Sequence, residues 1–220
     1  MAKPLSLVVL ISGSGSNLQA VIDAVTSGEI SANLTAVISN NAEAYGLERA
    51  RLAGIPAIAL IHTDYNSRDD FDRVLQQTID EYSPDLVILA GFMRLLGDDF
   101  VNHYRGRMLN IHQSLLPKYR GLNTHQRVLD AGDTQHGATV HFVTPELDSG
   151  PLIIQVSVAV DNNDNATTLA ARVLEQEYLI YPLAITWFVN QRLRFEQGQV
   201  LLDDNVLTQP IAFVNNEKTV

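Results

Sequence analysis

The stretch LSLVVLISGSGSNLQAVIDAVTSG, residues 5–28, joins an apolar run to a loop with two glycines and then to a segment with helical spacing. The run at 5–11 is rich in Val, Ile and Leu on both faces, which indicates a strand buried within a sheet. A strand that leads directly into a helix favours an α/β fold built on a parallel sheet. This one stretch therefore sets the fold class that the rest of the chain has to fit.

Six further apolar runs predict strands, at 33–39, 55–60, 85–90, 107–112, 137–143 and 151–160. Segments with helical spacing separate the earlier ones, at 16–28, 42–54 and 67–82. We expect an α/β fold with a single, mostly parallel twisted sheet of about seven strands and helices on both faces. The last two runs are separated only by TPELDSG, which predicts an antiparallel or hairpin-like end to the sheet.

The C-terminal third reads as a long helix followed by a tail. Helical spacing runs through 166–195, and Pro182 predicts an interruption within it. The tail from Gln199 offers one more short strand, and we expect the polar end at 215–220 to be frayed. No linker or repeat divides the chain, so we expect one domain over 1–220, with 206–220 as its tail.

The composition narrows the class of protein. The chain has 220 residues, of which 46% are hydrophobic and 18% charged, as is typical of a folded domain. Its net charge of −10 disfavours nucleic-acid binding, because a protein that binds nucleic acid has to neutralise phosphate groups. The apolar runs are shorter than the roughly 18 residues of a membrane span, and the start Met-Ala-Lys-Pro has no signal-peptide character. We therefore expect a cytoplasmic protein with neither a nucleic-acid nor a membrane partner.

The sequence also predicts that no metal is bound. Cysteine is absent, and the six histidines do not pair in H-x-x-x-H or H-E-x-x-H spacing. Disulfides, thiolate catalysis and Cys-ligated metals are excluded by the first observation. The second observation leaves the scattered histidines without the spacing of a known zinc motif, so we expect no metal site.

The glycine loop, residues 12–17, follows the first strand and opens the first helix. Backbone amides at such a position suit a phosphate. A dinucleotide fingerprint would need a third glycine where Leu18 stands, and the second strand ends in Ser39 and Asn40 rather than in an acidic residue. A single phosphate monoester therefore fits better than a dinucleotide. The alternative, a tight turn that caps a helix, stays open at this point.

Asn110 and His112 end the fifth strand two residues apart, so their side chains leave the same face of the sheet. An amide donor beside an imidazole can stabilise an oxyanion and transfer a proton, as acyl transfer requires. Asp148 in PELDSGP is the best candidate to set the charge and tautomer of His112. A hydrogen-bonded structural role for the histidine is the alternative.

Several motifs together resemble one known family. VVLISGSGSNLQA, SNNAEAYGLERA, LAGFMRLL, NIHQSLLP, GATVHFVTPELDSGP and EQEYLIYP occur in this order over almost the whole chain. They resemble the folate-dependent phosphoribosylglycinamide formyltransferases. The resemblance implies a Rossmann-like formyltransferase fold and transfer of a formyl group from 10-formyltetrahydrofolate to the amine of glycinamide ribonucleotide, in purine synthesis, without a metal.

The resemblance also implies roles for individual residues. The catalytic trio would be Asn110, His112 and Asp148. Ribonucleotide binding would involve Gly15, Ser16, Asn17 and Glu177. Folate binding would involve Arg68, Met93, Arg94, Leu95, Leu96 and Asn110. The part at about 1–105 would bind the phosphate and ribonucleotide, and the part at about 106–200 would carry catalysis and folate binding. The partners implied are small molecules, with no obligate protein partner.

Two positions depart from the family, since many relatives have proline where this chain has Gln113 and Arg120. Arg120-Gly121 is similar to methionyl-tRNA formyltransferases, which keeps that function open, although they carry an extra basic C-terminal domain. A formyl-folate hydrolase would keep the trio but would not need a phosphate loop.

Simpler interpretations apply to other residues. GFMRLL could be the apolar start of a helix, and Arg68 could form a solvated ion pair. His141 is expected to be a structural histidine near the site. The remaining expectations place His125 and Arg127 at the surface and Tyr178 and Tyr181 in the core or at its rim.

Overall fold

The computed structural model describes residues 4–214. Its strands are β1 (Leu5–Ile11), β2 (Ala32–Ser39), β3 (Ala57–Ala59), β4 (Leu86–Leu89), β5 (Met108–His112), β6 (Gln135–Phe142), β7 (Leu152–Ala159), β8 (Leu193–Glu196), β9 (Gln199–Leu202), β10 (Asn205–Val206) and β11 (Ile211–Phe213). Its α-helices are α1 (Ser16–Ser27), α2 (Tyr45–Leu52), α3 (Arg68–Asp80), α4 (Asp98–His103), α5 (Thr124–Ala131) and α6 (Ala166–Val189), and His62–Asp64 form one turn of 3-10 helix. All seven strands expected from the apolar runs are present.

The main sheet has eight strands in the order β11-β7-β6-β5-β4-β1-β2-β3. Strands β3, β2, β1, β4 and β5 are parallel to one another. Strand β6 runs antiparallel to both β5 and β7, and β11 then pairs parallel with β7. The expectation of a mostly parallel α/β sheet with an antiparallel end is therefore confirmed. The eighth strand, β11, and a separate three-stranded sheet of β8, β9 and β10 go beyond the expected count.

Strand β1 shows why the sheet is buried on both faces. Leu7, Val9 and Ile11 point into one apolar cluster, which the helices α1, α2, α5 and α6 help to form. Val8 and Leu10 point into a second cluster on the opposite face, with side chains of α3 and α4. Because successive side chains alternate between faces, one continuous apolar run can supply both cores.

The expected interruption of the long helix at Pro182 is wrong. Helix α6 runs for 24 residues with Pro182 inside it, buried among neighbouring apolar side chains. The hydroxyl of Tyr181 also donates to the carbonyls of Leu89 and Leu109, at 2.8 and 3.1 Å, and so ties the helix to the sheet. Tertiary packing here outweighs the cost of the hydrogen bond that a proline removes from a helix.

The end of the predicted helical region is also wrong, because α6 stops at Val189 and the chain turns at Gln191, whose φ is 59°. Residues 193–196 then form β8, whose Leu193 is buried. The polar end at 215–220, with its expected fraying, lies outside the described residues. Within residues 4–214, none of the helices combines the length and apolar character needed to cross a membrane.

Candidate active site

Three strand ends meet at one edge of the sheet. The parallel register pairs Leu10 of β1 with Leu89 of β4, and Leu89 with Asn110 of β5. The ends of β1, β4 and β5 are therefore neighbours. The glycine loop follows the first, the 91–97 segment follows the second, and His112 is the last residue of the third. Open α/β sheets bind their ligands at this carboxyl edge.

Close backbone packing shapes the glycine loop. Gly15 has a φ of 70°, and a Cβ built there would lie 2.6 Å from the Cα of Gly46 on α2. The amide of Gly46 donates to the carbonyl of Gly13 at 3.1 Å, which holds the loop against that helix. A side chain at position 15 would break both features, so glycine is required. Among the described residues, no side chain caps the start of α1, which leaves its first amides open to an anion.

Asn17 and Glu177 lie together beneath this loop. The amide nitrogen of Asn17 donates to Oε2 of Glu177 at 2.5 Å, and Glu177 is fully buried. Burial raises the pKa of this carboxyl group, while the neighbouring amides of Asn17 and Gln113 act in the opposite direction. Within residues 4–214, Oδ1 of Asn17 and Oε1 of Glu177 are buried without a hydrogen-bond partner. The pair therefore retains acceptor atoms beside the glycine loop.

His141 fixes the orientation of Asn110. The two residues face each other across the β5–β6 register, and Nε2 of His141 lies 3.1 Å from the amide nitrogen of Asn110. Nδ1 of His141 lies 2.9 Å from the carbonyl of Phe142, to which it donates, so Nε2 is the acceptor of the Asn110 amide. Burial lowers the pKa of His141 to about 4, which keeps the ring neutral. The second N–H of the Asn110 amide stays available to a ligand.

Both nitrogens of His112 face oxygen atoms. Nδ1 lies 3.4 Å from Oδ2 of Asp148, and Nε2 donates to the carbonyl of Tyr119 at 2.9 Å. The imidazolium form satisfies both contacts, because each nitrogen then carries a proton. The carbonyl of Tyr119 therefore occupies Nε2 in this conformation.

The 143–151 loop brings Asp148 back over the sheet to His112. Asp148 has a φ of 47°, and its Oδ2 accepts the amide of Gly121 at 2.8 Å. The loop lies flat on β6 because Gly150 has no side chain, since a Cβ there would collide with the carbonyl of Phe142. Aspartate tolerates the left-handed conformation better than most residues. The side chain is 8% exposed, so its charge acts on His112 with little screening.

His125 is not a simple surface residue, and that expectation is wrong. Its Nε2 lies 3.2 Å from Oε1 of Gln113, and its Nδ1 lies 2.9 Å from Nε2 of the buried His136. Burial lowers the pKa of both histidines, that of His136 to about 4. Gln113 therefore connects this histidine pair with the neighbourhood of Glu177. Arg127 is exposed, as expected.

Arg120 connects the two loops that surround His112. Its guanidinium donates to Oε1 of Glu146 at 2.7 Å, in the 143–151 loop. Both Gln113 and Arg120 thus make side-chain contacts that proline could not make. Gln113 thereby contacts α5, and Arg120 contacts the 143–151 loop.

The 91–97 segment is an irregular stretch between β4 and α4, so the alternative of an apolar helix start is wrong. Met93 and Leu95 are exposed by 64% and 55%, whereas Leu96 packs against the core. The Arg94 guanidinium lies 4.5 Å from the ring centre of Phe71, so it points back toward α3. Burial raises the pKa of Asp72, and the exposed Arg68 is close enough to oppose that rise in part. Met93 and Leu95 thus form an exposed apolar surface near the Arg68 guanidinium.

Sequence reasoning did not identify the carbonyl of Tyr119, the amide of Gly121 or the orienting role of His141. Backbone groups leave no signal in residue type, and the His141 contact depends on the β5–β6 register. Within residues 4–214, no group of three or more His, Asp or Glu side chains is placed to hold a metal.

Comparison with known proteins supports a single family. The formyl transferase family model matches residues 5–185, which is most of the chain. The chain belongs to the formyl transferase family. A phosphoribosylglycinamide formyltransferase of Escherichia coli (strain K12) is 54% identical over 199 residues, covering 90% of this chain and 94% of that protein.

Solved structures give the same result for this formyl transferase. A phosphoribosylglycinamide formyltransferase of Coxiella burnetii is 52% identical, with a TM-score of 0.92 over 96% of this chain and 100% of that one. A formyltetrahydrofolate deformylase of Pseudomonas putida KT2440 is 27% identical, with a TM-score of 0.81 over 91% of this chain and 70% of that one. Two reactions of formyl-folate are therefore represented among the structural neighbours.

Proposed function

We propose that this formyl transferase is a phosphoribosylglycinamide formyltransferase of purine biosynthesis. It transfers a formyl group from 10-formyltetrahydrofolate to the amine of 5'-phosphoribosylglycinamide, giving the N-formyl ribonucleotide and tetrahydrofolate. The observation that carries the proposal is the meeting of Asn110, His112 and Asp148 at the sheet edge that also holds the glycine loop. The high identity to enzymes of this name supports the same substrates.

The reaction is a direct acyl transfer. The amine nitrogen bonds to the formyl carbon, and the carbonyl electron pair moves to the oxygen. When the tetrahedral intermediate collapses, the bond from the formyl carbon to the folate nitrogen breaks. That nitrogen takes the electron pair and a proton, and the amine loses a proton, so no net proton is consumed.

Asn110 is placed to stabilise the oxyanion. His141 accepts one N–H of its amide and so aims the group, and the second N–H is free to donate to the developing charge. A preorganised donor of this kind typically contributes about 10²- to 10³-fold to a rate. Asn110 would therefore contact the formyl oxygen of the bound folate as well as the intermediate.

His112 would act as the charged group and proton carrier of the site. The carboxylate of Asp148 lies 3.4 Å from Nδ1 and holds the ring, so that a proton on the imidazole can be donated to the oxyanion and then to the departing folate nitrogen. In the described conformation, Nε2 is bonded to the carbonyl of Tyr119. The 113–121 loop therefore has to withdraw this carbonyl before His112 can donate to a substrate from Nε2.

The two ligands would lie on either side of the trio. The phosphate of the ribonucleotide would bind the amides of Gly15, Ser16 and Asn17 at the start of α1. Glu177 would accept hydrogen bonds from the ribonucleotide through its free Oε1. The folate would lie along Met93, Arg94, Leu95 and Leu96, with its carboxylate tail toward Arg68.

Hydrolysis of formyl-folate is the second candidate function, because the P. putida deformylase shares the fold. The features that favour transfer are the glycine loop and the Asn17–Glu177 pair, since a hydrolase needs no phosphate site. Formylation of Met-tRNA is disfavoured by the net charge of −10.

One experiment separates these functions. The protein is mixed with 10-formyltetrahydrofolate and, in separate reactions, with glycinamide ribonucleotide, initiator Met-tRNA or buffer alone, and tetrahydrofolate is measured. We expect rapid release only with the ribonucleotide, in a one-to-one ratio with its formylated product. Equal release in buffer alone would identify a hydrolase, and release with the tRNA alone would overturn the assignment of the acceptor.

A further inference from the structure

The 91–97 segment has to be held in place by contacts from outside it. It has neither helix nor strand of its own, and two of its apolar side chains, Met93 and Leu95, are largely exposed. An irregular segment that forms one wall of a ligand site loses precision unless its backbone is fixed. Two side chains from other elements supply hydrogen bonds near its middle and at its end.

Ser12 holds the middle of the segment. Its hydroxyl accepts the amide of Met93 at 2.7 Å and donates to Oδ1 of Asn40 at 2.6 Å. The hydroxyl proton is committed to Asn40, so the oxygen is oriented to accept from Met93. Ser12 itself is the first residue of the glycine loop. One hydroxyl thus joins the glycine loop directly to the 91–97 segment.

Asp72 holds the end of the segment. Its Oδ2 accepts the amide of Gly97 at 2.7 Å, and the residue is only 5% exposed on α3. Burial raises the pKa of this carboxyl group, while the Gly97 amide and the guanidinium groups of Arg94 and Arg68 act in the opposite direction. Within residues 4–214, Oδ1 of Asp72 and Nε of Arg94 are both buried without a partner. The Gly97 amide and the two nearby guanidinium groups explain why a carboxylate is tolerated at a buried position of α3.

We propose that Ser12 and Asp72 are positioning residues of the folate site, and that Ser12 couples this site to the ribonucleotide site. The proposal rests on the proposed function. Ser12 belongs to the glycine loop and its hydroxyl accepts the Met93 amide of the 91–97 segment, so its loss should affect both ligands. Asp72 accepts the Gly97 amide of the same segment and lies outside the glycine loop, so its loss should affect the folate alone.

The kinetic test uses Ser12→Ala and Asp72→Ala, with Ser6→Ala as the matched control. Ser6 lies at the far end of β1, and its hydroxyl bonds Thr35 and the carbonyl of Tyr82. We expect the KM for formyl-folate to rise about 3- to 10-fold in both variants, as for one lost hydrogen bond. The KM for the ribonucleotide should rise in Ser12→Ala only. The kcat should stay within about twofold, because no reacting group is removed.

Conservative variants separate positioning from general stability. Ser12→Thr keeps the hydroxyl, and Asp72→Asn keeps an oxygen acceptor for the Gly97 amide, so both should restore most of the folate affinity. If Ser12→Ala and Asp72→Ala leave the KM for formyl-folate unchanged, the proposal is overturned. The same holds if the KM rises equally in Ser6→Ala.

Amide hydrogen exchange tests the anchors without any activity. Exchange of the Met93 amide should accelerate in Ser12→Ala, and exchange of the Gly97 amide should accelerate in Asp72→Ala, each by about 3-fold or more. Unchanged exchange would overturn the anchoring itself. If the wild-type protein transfers no formyl group but the exchange results appear as expected, the proposed function fails and the anchoring stands.

Discussion

The parallel half of the sheet and its antiparallel end contribute different things to the site. Around β1 and β4, the site consists mainly of backbone, namely a glycine loop, the start of α1 and an irregular segment, with the Asn17–Glu177 pair beneath the loop. Around β5 and β6, it consists of buried side chains, with Asn110 oriented by His141 and His112 facing Asp148. Backbone amides are suited to binding anions, whereas oriented amide and imidazole groups are suited to moving charge and protons. We infer that binding is concentrated in the first region and chemistry in the second.

The glycine loop and the His112–Asp148 pair also differ in how far apart their parts lie along the chain. The glycine loop and α1 follow β1 directly, within residues 5–27. His112 reaches Asp148 across 36 positions, through an antiparallel strand and a loop that folds back. The His112–Asp148 pair therefore depends on strand register and loop packing, whereas the glycine loop and the start of α1 depend mainly on local sequence.

Asp148→Asn, in the chemical region, is expected to have the largest effect on activity. Asparagine keeps an oxygen for the Gly121 amide but removes the negative charge beside His112. His112 then loses the carboxylate that orients its ring and balances the charge it carries during proton transfer, and kcat should fall about 10²-fold or more, as for loss of acid–base assistance. Rates at saturating substrate measure this effect. Unchanged activity in a folded variant would show that Asp148 is only a loop residue.

A smaller effect, on binding alone, is expected from Ser16→Glu. The new carboxylate would lie at the positive end of α1 and repel the incoming phosphate. The KM for the ribonucleotide should rise about 10-fold or more while the KM for formyl-folate stays nearly constant. Ser27→Glu, at the other end of the same helix, is the control. Equal damage to both ligands would mean that the glycine loop does not bind the phosphate.

The smallest effect concerns acid stability of the antiparallel end. Burial lowers the pKa of His136 from 6.5 to about 4, so the unfolded chain binds a proton that the folded chain rejects. The stability that this pKa difference gives the folded state is fully present above pH 6.5 and is lost as the pH falls toward 4. His136→Gln should flatten the pH dependence of the free energy of unfolding by about 3 kcal/mol across this window.

Urea denaturation at several pH values measures this difference between variant and wild type. Taking the difference removes the opposite contribution of Glu177, whose raised pKa favours the folded state at low pH. His103→Gln, at a partly exposed histidine, serves as the control. Parallel pH curves for wild type and His136→Gln would contradict the assignment of His136 as a buried neutral group.

The elements that the sequence predicted well are those with short-range signals. Strand β1 was expected at 5–11 and occupies those residues, and the glycine loop follows it as expected. The predicted interruption of α6 at Pro182 is wrong, because packing of the helix's buried face outweighs the local effect of the proline. The 91–97 segment is irregular because its amides bond to side chains from distant elements, which no local pattern reveals.

In the candidate site too, the sequence predicted the reacting side chains but not the groups that orient them. Residue types pointed to Asn110, His112 and Asp148, and the structure brings His112 and Asp148 within 3.4 Å. The partners that orient them are the Tyr119 carbonyl and the His141 ring, which depend on backbone path and on strand register. Their contribution could not be predicted from spacing.

One paired measurement tests the division between binding and chemistry most directly, because each region contains one asparagine. Asn110→Ala removes the proposed oxyanion donor, and Asn17→Ala removes the partner of Glu177 below the glycine loop. With both substrates varied, Asn110→Ala should lose about 10²- to 10³-fold in kcat, with a smaller rise in the KM for formyl-folate and little change in the KM for the ribonucleotide. Asn17→Ala should instead raise the KM for the ribonucleotide while keeping kcat within a few-fold. A kcat within a few-fold of wild type in Asn110→Ala, or a loss of kcat confined to Asn17→Ala, would contradict the account.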